Sequence, residues 1–393
     1  MNTANEITTR YNPKIPFTLI VILASSFLIS LFVMEVVAVI LLFLWLFEDK
    51  QSKKISFDSV AQLVFLFGAA RVLSVIFSPF PDSAVPSLWK EALLYATIPP
   101  LFFYMRVLSD DYVAKIYTSY LAAATVVGII GIVQFSMGWV DRAASVTSGY
   151  STYSSYLLAS FGLFFFLPYR RMDNAARLFL IIGLVVLFTG MILSLGRTNI
   201  AIAGAVLIAA FVFKRIPWKV FVAVAVLTFV TSYTILTVVE NKEIDRRKEN
   251  PAGVSDRNTL WYGAYLRAME RPLTGFGPRT FLDVFPLKEK LNDVKVGSWH
   301  NDFISVYMES GILGLTAFLS LLGYVYLRGL RVYSRIKIQR KYRERIFAAL
   351  MGISALVLSG MTAGFISAPE LSIVFAFMLA LFSSGVYGAE RSE

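Results

Sequence analysis

The sequence predicts an all-α integral membrane protein with about twelve transmembrane helices and one large loop outside the cytoplasm. Hydrophobic residues make up 57% of its 393 residues, charged residues only 16%, and the mean hydropathy is +0.65. Soluble domains carry about 25% charged residues, so this composition indicates a chain embedded in lipid. The 33 Phe and 19 Tyr residues are typical of aromatic belts at both faces of a membrane bundle.

The residue counts also limit the chemistry. The absence of cysteine excludes disulfides, thiolate catalysis and thiolate metal sites, and a single histidine nearly excludes a His-based metal site. Carboxylate-bound Mg²⁺ remains open from composition alone. The formal net charge of +11 would suit nucleic acid, but its distribution along the chain explains it otherwise.

Apolar stretches of span length recur along the chain. The first, at 15–47, is too long for one span and barely long enough for two. We interpret it as a tight helical hairpin, with a single long tilted helix as the alternative. Later stretches lie at 58–78, 87–105, 112–134, 150–168, 176–195, 198–213, 217–238, 303–327, 346–366 and 370–388. We expect Pro99-Pro100 to break the span at 87–105.

Basic residues alternate with these stretches as the positive-inside rule requires for a cytoplasmic N-terminus. The loops placed inside then include Arg106 and the basic run at 327–345. The loop at 239–299 falls on the opposite side, and long loops are translocated largely regardless of charge. The sequence thus divides into transmembrane helices 1–9 at 1–238, this loop, and transmembrane helices 10–12 at 300–393. This topology explains much of the positive charge without a nucleic-acid partner.

Two amphipathic helices are predicted in the long loop, at 257–270 and at about 279–291. Ser255 and Asp256 would cap the first helix. Its large apolar residues recur at a spacing of four on one face: Trp261, Tyr265 and Met269. We expect the pair of helices to lie on the bilayer surface or over a cavity between spans.

His300 is the only histidine, and it marks the point where the polar loop becomes apolar, next to Asn301. Imidazole is the side chain that takes and returns a proton most readily near neutral pH. Its place at a water–lipid boundary therefore suggests a general base at the membrane surface. The alternative is that His300 only caps the helix that follows.

Three arginines on the same side as His300 are candidates for binding an anion. Arg197 lies in a very short turn between two spans, where an unpaired charge is costly and a guanidinium fork suits phosphate oxygens. Binding of lipid headgroups is its alternative role. Arg257 is placed in the first turn of a loop helix, which also attracts anions, although solvent exposure explains it equally well. Arg279, after Gly275-Phe276-Gly277, is a similar candidate, and those glycines more simply end the preceding helix.

Charged residues within apolar spans form a second group. Arg71 and Glu91 are expected to form a structural pair inside the membrane, with contact between Arg71 and substrate as the alternative. Glu309 lies nine residues after His300, about two and a half helical turns deeper. We interpret it as the buried partner of an arginine, with a role as proton acceptor as the alternative.

These residues resemble the pattern of the O-antigen ligase family, which groups bacterial O-antigen ligases with related oligosaccharide polymerases and protein-glycosylating enzymes. His300-Asn301, nine residues and then Gly311-x-x-Gly314 is similar to the family's signature. The segment SLGR at 194–197 resembles a second family motif. In the loop, Arg257, Trp261 and Gly275-x-Gly277 resemble its pattern. Leu315 and Thr316 stand where the ligases often have two threonines, which leaves the polymerases open.

The resemblance implies a glycosyltransferase of the membrane-embedded GT-C type in the bacterial inner membrane, with its loop and active site facing the periplasm. The donor would be a glycan on undecaprenyl diphosphate and the acceptor a sugar hydroxyl of lipid A-core. No metal, nucleotide sugar or ATP is expected in this inverting displacement. His300 would be the general base, and Asn301 would orient it or a sugar. Arg197 and Arg257 would bind the diphosphate, with Arg279 and Arg71 as lesser candidates. The alternatives are a polymerase of lipid-linked repeat units and, from another class, a transporter or flippase for lipid-linked sugar.

Overall fold

The computed structural model describes residues 9–166, 172–239, 256–291, 296–335 and 337–392, and every regular element within these ranges is a helix. The chain opens with helix α1 (Lys14–Ser26) and helix α2 (Leu31–Leu46), which pack against each other. The Ser30 side chain caps α2 by accepting from the Val33 N–H at 3.3 Å. The hairpin prediction is therefore confirmed, and the single long helix is wrong.

Two groups of helices flank the long loop, which itself contains short helices. The first group continues with α3 (Ser59–Ile76), α4 (Pro81–Val107), α5 (Asp110–Ser136), α6 (Tyr150–Leu163), α7 (Asn174–Leu193), α8 (Arg197–Val212) and α9 (Trp218–Val238). The loop contributes α10 (Arg257–Arg267) and α11 (Phe281–Val284). The last group is α12 (Asp302–Tyr333), α13 (Arg340–Gly360) and α14 (Pro369–Arg391).

The apolar helices make this chain a multi-pass membrane protein. In the described part of the chain, six helices are long and apolar enough to cross a membrane: α3, α5, α7, α9, α12 and α14. Three shorter helices, α1, α2 and α8, are also apolar. The other predicted spans, at α4, α6 and α13, are not among these helices, so the number of twelve spans stays a prediction.

Helix α14 forms the centre of the bundle and is almost entirely buried. It packs against α4 and α13, while α12 packs on α3, and α13 also packs on α6. The Phe377 ring stacks on Tyr120 of α5 at 5.2 Å and meets Phe27 edge-on at 5.9 Å. Helix α9 lies at the periphery against α7, with most of its surface exposed.

Helix α4 runs unbroken through Pro86, Pro99 and Pro100 to Val107. The prediction that Pro99-Pro100 breaks this span is therefore wrong. An interior proline removes a backbone hydrogen bond and clashes with the carbonyl four residues earlier, which can kink a helix without ending it. Burial of the surrounding segment, Thr97–Met105, in the bundle core keeps these residues helical.

The loop helices are shorter than predicted. Helix α10 begins at Arg257 as expected but ends at Arg267, and Asp256 precedes it without a side-chain capping bond. Ser255, the other predicted cap, lies outside the described residues. The predicted helix at 279–291 is wrong in extent, because α11 stops at Val284. Phe285 precedes Pro286, which forces an extended backbone (φ −65°, ψ 119°) there.

Candidate functional site

His300 lies directly before α12, half-buried and in a left-handed backbone conformation with φ 49°. The residue that caps α12 is Asn301, whose side-chain oxygen accepts from the N–H groups of Phe303 (2.9 Å) and Ile304 (3.2 Å). The alternative in which His300 itself caps the helix is therefore wrong. Because the Asn301 oxygen is used for capping, this residue positions the start of α12.

Trp299, directly before His300, and Asp302, two residues after it, are both buried and fixed. The Trp299 ring meets Phe281 at 4.9 Å and Phe285 at 5.8 Å, both edge-on. The Asp302 carboxylate accepts from the backbone N–H groups of Phe365 (2.9 Å) and Ile366 (3.4 Å). A side chain with positive φ costs energy, and such strained residues persist where the surrounding structure holds them in place. His300 is held in this way.

The turn between α13 and α14, residues 361–368, collects contacts from three parts of the loop and its end. Arg257 donates through Nη2 to the carbonyl of Thr362 at 3.0 Å. Arg279 donates through Nη2 to the carbonyl of Ser367, and Asp302 accepts from the middle of the turn. This turn therefore brings Arg257, Arg279 and Asp302, which follows His300 by two residues, to one end of the bundle.

Sequence reasoning missed the 361–368 turn. It reads MTAGFISA and contains no charged residue, so it offers no functional signal of its own. Its contribution is made by main-chain groups, which carry no information about their partners in the sequence. The one usable signal was Gly360, the last residue of α13, where a Cβ would lie 2.5 Å from the Asp302 carboxylate.

Arg197 and Arg257 each form the first residue of a helix, α8 and α10 respectively. Burial lowers the pKa of the Arg257 guanidinium below its ordinary value, and the nearby charge of Arg197 lowers it further. Arg197 itself is exposed, at the first position of α8. Two cations and two positive helix ends close together favour an anion between them.

A buried polar cluster fixes the start of α8 beneath Arg197. Asn199 donates to the Ser154 hydroxyl at 2.9 Å and accepts from the Ser359 hydroxyl at 2.8 Å. The Ser359 and Ser155 hydroxyls lie 2.7 Å apart. The cluster joins α6, α8 and α13, and its members are too widely separated in the sequence for the pattern to be read there.

Arg71 is fully buried and held between two carboxylates. Its Nε donates to Glu91 at 3.0 Å and its Nη1 to Glu309 at 2.7 Å. The predicted pairing with Glu91 is confirmed, and Glu309 is the second buried partner. Because the fork is occupied by these two side chains, its position favours the structural role for Arg71 over contact with substrate.

Helix α12 is broken at Gly311, which has φ 59° and ψ −162°. The N–H groups of Ile312 and Leu313 bond instead to the carbonyls of Pro272 (2.8 Å) and Leu273 (3.4 Å). We call residues 272–277 the inserted segment, because their backbone fills this break.

The carbonyls on the other side of the break are bound as well. The N–H of Phe276 donates to Met308 at 2.8 Å, and that of Gly277 donates to Glu309 at 3.0 Å. A Cβ on Gly275 would lie 2.5 Å from the Glu309 main chain, and Gly275 and Gly277 both have positive φ. These glycines therefore serve the close approach to α12, in addition to ending the preceding helix.

Trp261 and the other residues of the predicted apolar face do not pack into the protein. Tyr265 is 73% and Met269 80% exposed, and the buried side of α10 is formed by Leu260, Gly263 and Ala264. This exposed apolar face is suited to lipid at the bilayer surface.

Comparison with known proteins supports the family resemblance over part of the chain. Residues 182–319 match the family model described as O-antigen ligase, whereas no curated protein matches the chain. The matched segment begins within α7 and ends within α12. It contains Arg197, Arg257, Arg279, His300 and Gly311. The resemblance seen in the sequence is thus confirmed over this segment, which is similar to the O-antigen ligase family.

Proposed function

We propose that this protein is an O-antigen ligase, which transfers a glycan from undecaprenyl diphosphate to a sugar hydroxyl of lipid A-core. The observation that carries the proposal is that Arg257 and Asp302, two residues after His300, bind the same 361–368 turn, while Asn199 ties the start of α8, which Arg197 opens, to Ser359 just before this turn. This arrangement supports an anion-binding pair and a base acting on the same face.

In the proposed reaction, the acceptor hydroxyl oxygen forms a bond to the anomeric carbon as the bond from that carbon to the diphosphate breaks. His300 takes the hydroxyl proton, and the leaving undecaprenyl diphosphate keeps the electron pair. A single displacement of this kind inverts the anomeric configuration. The imidazolium then returns its proton to water, which restores the base.

Negative charge grows on the diphosphate as the glycosidic bond breaks, so fixed cations stabilise the transition state more than the ground state. Arg197 and Arg257 are assigned this role, supported by their mutual proximity at two helix N-termini. Arg279 is assigned a supporting contact. Its guanidinium is held beside Arg257 on the same turn by its bond to the Ser367 carbonyl.

Other residues are assigned to the surroundings of the reaction. Asn301 fixes the helix start that follows His300. Helix α10, with Trp261 on its exposed apolar face, covers the donor from the lipid side. We place the chain in the bacterial inner membrane with this face toward the periplasm, because the basic run at 327–345 lies in and after the far end of α12. The architecture proposed is of the GT-C type.

A polymerase of lipid-linked repeat units is the second candidate. It would use the same donor and the same base, with a lipid-linked sugar as acceptor. Leu315 and Thr316 stand where the ligases often have two threonines, which supports the polymerase as a candidate. A flippase for lipid-linked sugar would also use arginines near the membrane. It would not require a base at His300.

The deciding experiment is reconstitution of the purified chain in liposomes with lipid-linked glycan and lipid A-core, in buffer with and without EDTA. Glycan attached to lipid A-core in both buffers supports the ligase. Longer lipid-linked chains instead would identify the polymerase, and vectorial movement without a new glycosidic bond would identify a flippase. Loss of product with EDTA would reject the metal-independent reaction.

A further inference from the structure

Glu309 lies where the break in α12, the inserted segment and the buried Arg71 meet. Its carboxylate accepts from Arg71 at 2.7 Å. Its main-chain carbonyl accepts from the Gly277 N–H at 3.0 Å and from the Ser74 hydroxyl. One residue of α12 therefore binds α3 through its side chain, and binds both α3 and the loop through its backbone.

Arg279 lies two residues after Gly277, whose N–H binds the Glu309 carbonyl, and its backbone has a positive φ of 59°. Its guanidinium donates to the Ser367 carbonyl in the 361–368 turn, which also binds Arg257. A change at Glu309 should reach the proposed diphosphate site through this residue, since Arg279 links the inserted segment to that turn.

The charge on Glu309 is required for this arrangement. The side chains of Arg71, Glu91 and Glu309 are 1%, 4% and 7% exposed. Charges buried to this extent are stable only when they are paired and hydrogen-bonded, so the geometry of the trio is tightly specified. Arg71 gives two donors to Glu91 and a third to Glu309, so the Glu309 side chain is tied to α3 while its carbonyl binds the loop.

We propose that Glu309 is a positioning residue: its carboxylate, bound to Arg71, fixes the α12 backbone that holds the inserted segment, and this segment holds Arg279 in the place from which Arg279 reaches the diphosphate of the donor. The consequence for the donor depends on the function proposed above. The consequence for the loop backbone does not.

Hydrogen exchange of the loop in purified protein tests the positioning directly. The variant Glu309→Gln keeps the shape but loses the charge, so we expect faster exchange at residues 272–281 than in the unchanged protein. Glu309→Asp, which keeps the charge but is too short to reach Arg71 from the same backbone position, should show the same effect if Glu309→Gln folds poorly. The control is Glu344→Gln, a buried carboxylate bound to Arg340 in α13, which should leave exchange at 272–281 unchanged. Equal exchange in all variants would overturn the proposal.

Transfer kinetics separate positioning from general damage. In Glu309→Gln we expect the donor KM to rise about tenfold or more while the acceptor KM stays the same, since small misplacements of binding groups are costly. A loss of folded protein would lower kcat and leave both KM values unchanged, and that result would overturn the role toward the donor. If the unchanged protein shows no transfer at all, the proposed function fails, but the exchange experiment still decides whether Glu309 holds the loop.

Discussion

Arg257 and Thr362 are 105 residues apart in the chain, and the Arg257 guanidinium donates to the Thr362 carbonyl at 3.0 Å. The bond ties the first residue of α10 to the 361–368 turn, which also binds Asp302. It uses one donor of the guanidinium and sets the direction of the others. The first prediction follows from this fixed orientation.

Replacing Arg257 by Ala should raise the donor KM and lower kcat/KM for the donor about a hundredfold, because a charge-assisted contact to the developing diphosphate charge is lost. Arg257→Lys should recover little, since an ammonium cannot reproduce the planar fork. The measurement is initial transfer rate against donor concentration. Arg267→Ala is the matched control: Arg267 lies on the same helix and pairs with Glu270 at the surface. If both variants lose activity equally, α10 is being disrupted and the role of Arg257 is rejected.

Removal of the imidazole at His300 should abolish transfer while leaving donor binding intact. General bases contribute about a hundred- to ten-thousandfold to rate. The informative variant is His300→Asn, because Asn tolerates the left-handed conformation that this position adopts and carries no base. Donor binding and transfer rate are measured on the same preparation. Transfer by His300→Asn at the normal rate would exclude the general-base role, and loss of donor binding would indicate a different function for this residue.

Asn301 tests whether the second residue of the signature acts through structure or through substrate. Asn301→Ala removes the cap of α12 and should lower the stability by about 1 kcal/mol. Asn301→Ser and Asn301→Asp keep a capping oxygen and should melt and transfer normally. Thermal unfolding in detergent and transfer rate are compared for the three variants. Normal melting with lost transfer in Asn301→Ser would show that the amide contacts a sugar instead.

The sequence was sufficient to predict the elements that depend on local pattern. The hairpin at 15–47, the start of α10 at Arg257 and the pair Arg71–Glu91 all follow from hydropathy, charge or spacing. The failures have specific physical causes. Pro99-Pro100 does not interrupt α4 because tertiary burial holds that segment helical. The helix after Arg279 ends early because Pro286 stands in its second turn.

The long-range part of the site could not be predicted. The 361–368 turn acts through main-chain atoms. The inserted segment at 272–277 bonds to residues 308–313, which follow much later in the sequence. Gly311 and Gly275 were visible as glycines, but only the structure shows that their backbones are in contact across the break in α12. A motif spacing records that such residues occur together; it does not record which main-chain groups they join.

The break in α12 gives the last prediction. A Cβ at Gly311 would lie 2.2 Å from the Leu273 carbonyl oxygen, and its φ of 59° with ψ of −162° is a conformation that side chains other than glycine rarely adopt. Gly311→Ala should therefore lower the stability by at least about 1–3 kcal/mol and expel the inserted segment from the break. Gly323→Ala is the control on the same helix, since no atom lies within 4 Å of its would-be Cβ and helical Ala is favoured over Gly by about 1 kcal/mol. Thermal unfolding and proteolysis at residues 272–277 are measured for both. Equal melting temperatures and equal protection would contradict the insertion of this segment into α12.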